Sequence, residues 1–348
     1  MKLLFISDKF DFEAHSFMDG VINKYLKNSI DVDVVYWSKK GSFLKKDDKF
    51  LVPYKQNLHR YINLEDYNFI IVRNFFNILK QILSYKSRYR YKVGFQLSFP
   101  HTYRRIHQAK VEKRAVIRKT IEYKIKTFYE KRLINQCDYF FPISKYMINL
   151  FYDDIKTPYF VLPLGVDEDY IVEKKFTDHQ EIKMVYIGTI DKLRGFDNVL
   201  NHLANYANKN WRLDIYSKTV PAIPDIVKDK VDIKGYIERK KLIQKISDYD
   251  LGLFLLPENR LYDVASPTKV MEYYQAGIPA IMSSINECKE LFYPDKGFIM
   301  DFNNLNFDIV FNSSLEKLNI MGSGGQKTLL EKRNYKHIAK NLYEFIIN

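Results

Sequence analysis

The sequence predicts an α/β fold of two Rossmann-like domains facing each other across a cleft. Three observations lead there. Short apolar, β-branched and aromatic runs alternate with amphipathic, helix-like stretches, as buried parallel strands with helical crossovers do. The alternation occurs twice, on either side of a charged, aperiodic stretch at residues 165–182. A chain of 348 residues also suits two domains of roughly 150 residues better than one core.

Six runs in the first half read as strands: KLLFIS (2–7), VDVVYW (32–37), FIIVR (69–73), KVGFQL (92–97), YFFPIS (139–144) and YFVLPLG (159–165). Six more follow: KMVYIG (183–188), RLDIYS (212–217), VDIKG (231–235), LGLFLLP (251–257), PAIMS (279–283) and GFIMD (297–301). The predicted domains are therefore residues 1–165 and 166–328. A C-terminal helix, 329–348, is expected to return across the hinge toward the first domain. Ligands bind beyond the carboxyl ends of such strands. That directs attention to residues 7–15, 98–105, 188–195, 217–220, 235–237 and 257–272.

Composition narrows the function classes. Hydrophobic residues make up 46% and aromatics 16%, enough for packed cores. The two cysteines, Cys137 and Cys288, lie far apart outside any CxxC, which argues against a disulfide scaffold or zinc site and fits a reducing compartment. MKLLFISDKF has too short an apolar run for a signal peptide, and no stretch reaches the ~18–20 apolar residues that span a bilayer. The net charge of +13 is compatible with nucleic acid, an anionic membrane surface or phosphate-bearing substrates, and also with genomic bias toward lysine.

Two segments carry chemistry. In YIGTIDKLRGFDNVL (186–200) a strand ends at Gly188, and a loop with Thr189, Lys192, Arg194 and Gly195 enters a helix pattern. Glycine lets backbone approach a ligand, a helix N-terminus offers N–H groups to an anion, and a guanidinium binds phosphate oxygens in pairs. The plainer reading is a solvated loop with two surface cations. In SPTKVMEYYQAGIPAI (266–281), Ser266 is placed as the N-cap with Pro267 in the first helical position. Thr268, Lys269 and Glu272 fall within about 100° on one helical face. The first turn then suits a diphosphate and Glu272 a ribose diol, which together describe a nucleotide. The plainer reading is helix-dipole decoration with a Lys–Glu pair.

These segments, with IKGYIERKKLIQKISDYDLGLFLLP between them, resemble the nucleotide-sugar domain of GT-B glycosyltransferases. More narrowly, they resemble the retaining "group 1" family of bacterial polysaccharide, capsule and lipopolysaccharide enzymes. CDYFFPISKYMINLFYDDIKTPYFVLPLGVD is similar to that family's approach to the interdomain linker, so the resemblance covers most of the chain. It implies an acceptor-binding first domain and a donor-binding second one. Arg194 and Lys269, with Lys192 and the Gly188–Thr189 backbone, would take the donor diphosphate. Ser266 and Thr268 would add the helix start, and Glu272 the ribose. Residues 235–237 would read the base, with Tyr236 and Ile237 against it, and Ser217 joins the same set from its strand end. Thr189 stands where many members carry arginine. The family's first glutamate falls on Val264, with Asp263 and Glu258 nearby, and the glycine-rich loop after the first strand is missing. Contacts there would fall to His15 or Ser16.

His101, after the strand KVGFQL, lies where relatives place a histidine facing the donor sugar; the alternative is a surface turn histidine after Pro100. With Arg194 and Lys269 it completes the catalytic candidates. No metal and no cofactor beyond a UDP- or GDP-sugar donor is expected. Residues 101–132 hold eleven Lys/Arg against three Glu, with Ile117, Ile121, Ile125 and Phe128 at helical spacing. That stripe either faces the core or meets an anionic leaflet. The expected function is hexosyl transfer to a cell-surface glycan or lipid-linked acceptor, in the cytoplasm or peripherally on the inner face of its membrane. An epimerase or phosphorylase of the same fold is the alternative, and a non-catalytic basic binding protein is the rival of another class. No nucleic-acid signature is present.

Overall fold

The computed structural model describes residues 1–54 and 56–348, in two compact units: Met1–Leu164 with Tyr335–Asn348, and Gly165–Asn334. Each is an α/β unit on a mainly parallel sheet, as the alternating runs predict.

The first unit contains β1 (Lys2–Phe10), β2 (Asp31–Ser38), β3 (Leu44–Lys46), β4 (Lys49–Pro53), β5 (Phe69–Arg73), α1 (Phe76–Tyr89), β6 (Lys92–Leu97), α2 (His101–Val111), α3 (Val116–Ile134), β7 (Tyr139–Pro142) and α4 (Lys145–Phe151). Among the described residues its strands are ordered β3-β4-β2-β1-β5-β6-β7, and only β3 is antiparallel. FIIVR of β5 is buried at every position because helices or coil cover both faces of a central parallel strand. The run YFVLPLG is a correction to the predicted strands. It lies beside β7 through a single isolated bridge, Phe140 to Tyr159, since Pro158 and Pro163 lack the N–H groups a ladder needs.

The second unit contains β8 (Ile182–Ile187), α5 (Phe196–Ala204), β9 (Trp211–Tyr216), β10 (Val231–Ile233), α6 (Arg239–Ile246), β11 (Leu251–Phe254), α7 (Arg260–Asp263), α8 (Thr268–Gln275), β12 (Ala280–Ser283), α9 (Asn286–Phe292), β13 (Phe298–Met300), α10 (Asp308–Phe311) and α11 (Leu315–Arg333). Its described strands are all parallel, in the order β10-β9-β8-β11-β12-β13. One apolar cluster, around Trp211 and Phe196, and a second, around Tyr273 and Phe292, form its core. Cys137 and Cys288 are buried, unpaired thiols.

The C-terminal expectation also needs correction. Residues 329–333 finish α11, and only α12 (Tyr335–Ile347) belongs to the first unit. The break is Asn334, whose backbone is extended and whose amide donates to Glu168 Oε2 at 2.9 Å. On α12, Tyr335, Ile338, Ala339, Leu342 and Ile346 make one buried face, and Phe345 packs on Tyr139 and Phe160. No helix among the described residues is long and apolar enough to cross a membrane.

Candidate functional site

In the second unit the strand order reverses between β8 and β11, and ligands of such sheets bind outside the carboxyl ends of the strands at that point. The two strands pair only through Met184–Leu251 and Val185–Gly252. Beyond that they part, and the Tyr273 hydroxyl of α8 fills the gap. It accepts the Ile187 N–H at 3.2 Å and donates to the Leu253 carbonyl at 2.9 Å. The ring lies directly on Gly252, where a Cβ would collide with Tyr273 Cγ, Cδ1 and Cδ2. This device was not read from the sequence. A glycine inside the apolar run LGLFLLP is its one visible trace.

Tyr273 fixes α8, and Lys269, one turn earlier, is fixed with it. The Lys269 stem and ammonium lie against Gly188, whose φ of +129° suits glycine and whose missing Cβ leaves their space. Burial first and the Arg194 guanidinium second push the Lys269 ammonium down to about 8, against the attraction of Glu272 and Asp191. Arg194 is half-buried on the loop before α5. Its Nε is 3.8 Å from Asp191 Oδ2, and its backbone N–H donates to the Asp191 carboxylate at 3.0 Å. Lys269, half-buried like Arg194, thus feels the Arg194 guanidinium on one side and the carboxylates of Glu272 and Asp191 on the other. Glu272, half-buried, follows three residues after Lys269.

The helix start differs from the predicted cap. Pro267 occupies the cap position and Thr268 is the first helical residue. Ser266 is buried and makes no capping bond; its hydroxyl is turned toward Glu287. The ψ of Pro267, 76°, lies outside the helical region, so the start moves one residue onward. The Thr268 N–H is bonded to the Ser266 carbonyl at 3.0 Å and the Met271 N–H to the Pro267 carbonyl at 3.1 Å. The Lys269 and Val270 N–H groups have no partner among the described residues, so two donors beside the ammonium are open to an anion.

The other candidates fall into two groups. Thr189 is exposed, and its carbonyl accepts the Tyr186 hydroxyl at 2.8 Å. Ser217 is buried, and its hydroxyl is engaged by Thr219, which in turn bonds Ile190. These shape the loop after β8. Lys192 is exposed. Tyr236, 72% exposed, follows β10 with the Lys218 ammonium 4.6 Å from its ring centre, while Ile237 packs on the core. Val264 is fully buried. Beside it the Asp263 carboxyl is raised, first by burial and then by Glu258.

In the first unit a cavity of about 780 Å³ opens at the ends of β1 and β5, lined by Asp8, Asn74, His101, Arg104 and Glu130 among others. Arg73 is fully buried there, donating to Asp8 at 3.1 Å and Gln96 at 2.9 Å, and Asn74 donates to Asp8 at 2.6 Å. Burial alone would raise the Asp8 carboxyl, but Arg73 and Asn74 outweigh it and hold it below the usual range. His101 starts α2. The protein around its ring lowers its pKa, and Arg104, Arg105 and Arg73 add to that against Asp8. The loop after β1 lacks glycine, yet Asp11 and Phe12 both take positive φ.

No family model matches the chain, and no curated protein matches it in sequence. Solved structures do share its fold, that of GT-B glycosyltransferases. A sucrose-phosphate synthase from Thermosynechococcus elongatus superposes with a TM-score of 0.71 at 12% identity, over 99% of this chain and 98% of that one. The lipopolysaccharide outer core galactosyltransferase WaaB gives 0.65 at 13%, over 100% and 99%. Anabaena Alr3699/HepE in complex with UDP-glucose gives 0.66 at 12%, over 99% of each chain.

Proposed function

We propose that the protein is a hexosyltransferase, moving a sugar from a nucleoside-diphosphate donor to a cell-surface glycan or lipid-linked acceptor. The observation that carries this reading is the Lys269 ammonium, seated against Gly188 in the field of Arg194, beside two unbonded helix N–H groups. An ammonium whose charge is disfavoured by burial and by a neighbouring guanidinium, set at a helix start, suits a ligand of opposite charge. A diphosphate fits, with Glu272 taking the ribose hydroxyls one turn deeper and Tyr236 lying along the base.

In transfer, the bond from the anomeric carbon to the β-phosphate oxygen breaks and its electron pair stays on the diphosphate. The acceptor hydroxyl oxygen forms the new bond and passes its proton to an oxygen of the departing diphosphate. Arg194, Lys269 and the start of α8 stabilise the charge that develops on the leaving group, without a metal. His101, kept neutral, offers one hydrogen bond to the sugar or acceptor. Asp263 and Glu258 are the carboxylates nearest in sequence to Val264, which stands where the resembled family has its first glutamate, and contacts to the sugar hydroxyls fall to them. Likeness to the retaining family favours retention of configuration.

The test is release of UDP or GDP from the corresponding sugar donors, with wild type and Glu272→Gln. Loss of one charge-assisted bond predicts about a 10- to 100-fold weaker donor affinity in the variant. Equal affinity would remove Glu272 from the site. A pH series gives a second expectation. Diphosphate binds the protonated lysine, so affinity is level below about 8 and falls as pH rises through the free Lys269 value. Lys269→Arg should flatten that fall; an identical slope in both proteins assigns the titration elsewhere.

A further inference from the structure

The predicted stripe on α3 does not face the core. Ile117 is 81% exposed, Ile121 55%, Ile125 65% and Phe128 72%. The helix is seated by its opposite side, through Glu130, Leu133 and Ile134, about 180° around the axis at 100° per residue. Besides the stripe, the exposed residues of α3 are Arg118, Lys124, Tyr129 and Arg132. None of them is acidic. Its two glutamates are withdrawn: Glu130 is buried, and Glu122 is half-buried in ion pairs with Lys119 and Lys126. The turn before α3 adds Lys113 and Arg114 and one acid, Glu112, all exposed.

We infer that the first unit docks on an anionic lipid bilayer through this helix, the four apolar side chains entering the headgroup–acyl boundary and the flanking cations meeting lipid phosphates. A water-facing helix would carry its polar residues on this side, yet here the apolar residues project farthest from the core. An apolar ridge on a helix whose exposed charges are all Lys and Arg matches the two layers of a membrane interface. A second copy of the chain fits worse, because it would bring Arg118, Lys124 and Arg132 against their own counterparts on a protein of net charge +13. The inference goes beyond sugar transfer and does not depend on it.

The test is co-sedimentation of the full-length protein with vesicles of phosphatidylcholine alone or mixed with phosphatidylglycerol. Wild type should bind the mixed vesicles and leave the neutral ones largely free. The fourfold variant I117S/I121S/I125S/F128S should bind the mixed vesicles at least about tenfold more weakly, with an unchanged melting temperature because all four positions are exposed. The charge reversal R118E/K124E/R132E should lose the preference for anionic lipid while keeping the apolar ridge. Absence of vesicle binding by wild type overturns the inference, as does equal binding by the fourfold variant. A wild-type dimer that the fourfold variant abolishes, without vesicle binding by either, would instead make the ridge a protein–protein face. Donor turnover in detergent-free solution should be the same in the fourfold variant, so this result and that of the donor site are read separately.

Discussion

Replacing Lys269 by methionine should lower kcat for donor turnover by about a hundredfold or more, the scale of losing one preorganised stabiliser of developing charge. Methionine keeps an unbranched stem to lie against Gly188 and removes only the ammonium, so the substitution separates charge from packing. The same change should leave the melting temperature unchanged or raise it. In the free protein that ammonium is desolvated and repelled by Arg194, so its removal relieves a cost. Lower activity with undiminished stability marks a group held in place for a ligand. A structural cation would give the reverse pattern, and a large drop in melting temperature with normal kcat would remove Lys269 from the mechanism.

Gly252→Ala should destabilise the second unit strongly. The new methyl group falls on three carbons of the Tyr273 ring, and overpacking of this kind costs about 1–3 kcal/mol even where neighbours can shift. Here the ring has little freedom. Moving it withdraws the hydroxyl from the Ile187 N–H and the Leu253 carbonyl, each costing about 1–3 kcal/mol when left buried and unpaired. Trp37 lies in the first unit and Trp211 in the second, both buried, so urea unfolding can be followed in single-tryptophan backgrounds. The transition seen by Trp211 should move to lower urea while that seen by Trp37 moves little. Tyr273→Phe should reproduce part of the Trp211 shift, since it keeps the ring and loses the two bonds. An unmoved Trp211 transition in Gly252→Ala would mean that the strands at the switch point are not held by this contact.

Much of the fold was legible because buried parallel strands leave unbroken apolar runs, as in FIIVR and KMVYIG. Where a strand is exposed the signal vanishes: β3 is LKK, solvent-facing at every residue, and neither it nor its partner β4 is announced by LKKDDKFLVP. The opposite failure is YFVLPLG, strand-like in composition but interrupted by proline. Glycine misleads in α11, where Gly322-Ser323-Gly324-Gly325 suggests a loop. Close packing on α8 and its following turn, Tyr274 against Gly325 and Gly277 against Gly322, outweighs the helix propensity lost there.

At the site, the spacing of Lys269 and Glu272 was enough to place both on one face of α8. It could not show that Lys269 reaches Gly188, since that contact joins residues eighty-one positions apart in the chain. Ser266 followed the usual capping pattern, but the non-helical ψ of Pro267 puts the cap one residue later. The α3 stripe shows the limit of periodicity most clearly. Spacing establishes that apolar side chains share a face, and only the packing of Leu133 and Ile134 decides which way that face points.

Calorimetric titration of the full-length protein with UDP and GDP, alongside the double variant Arg194→Ala/Lys269→Ala, tests the central claim most directly. Wild type should bind one of these nucleotides at a single site per chain, and the double variant should show no measurable heat of binding while remaining folded. Equal affinity in the two proteins, or no nucleotide binding by wild type, would contradict a donor site at the start of α8.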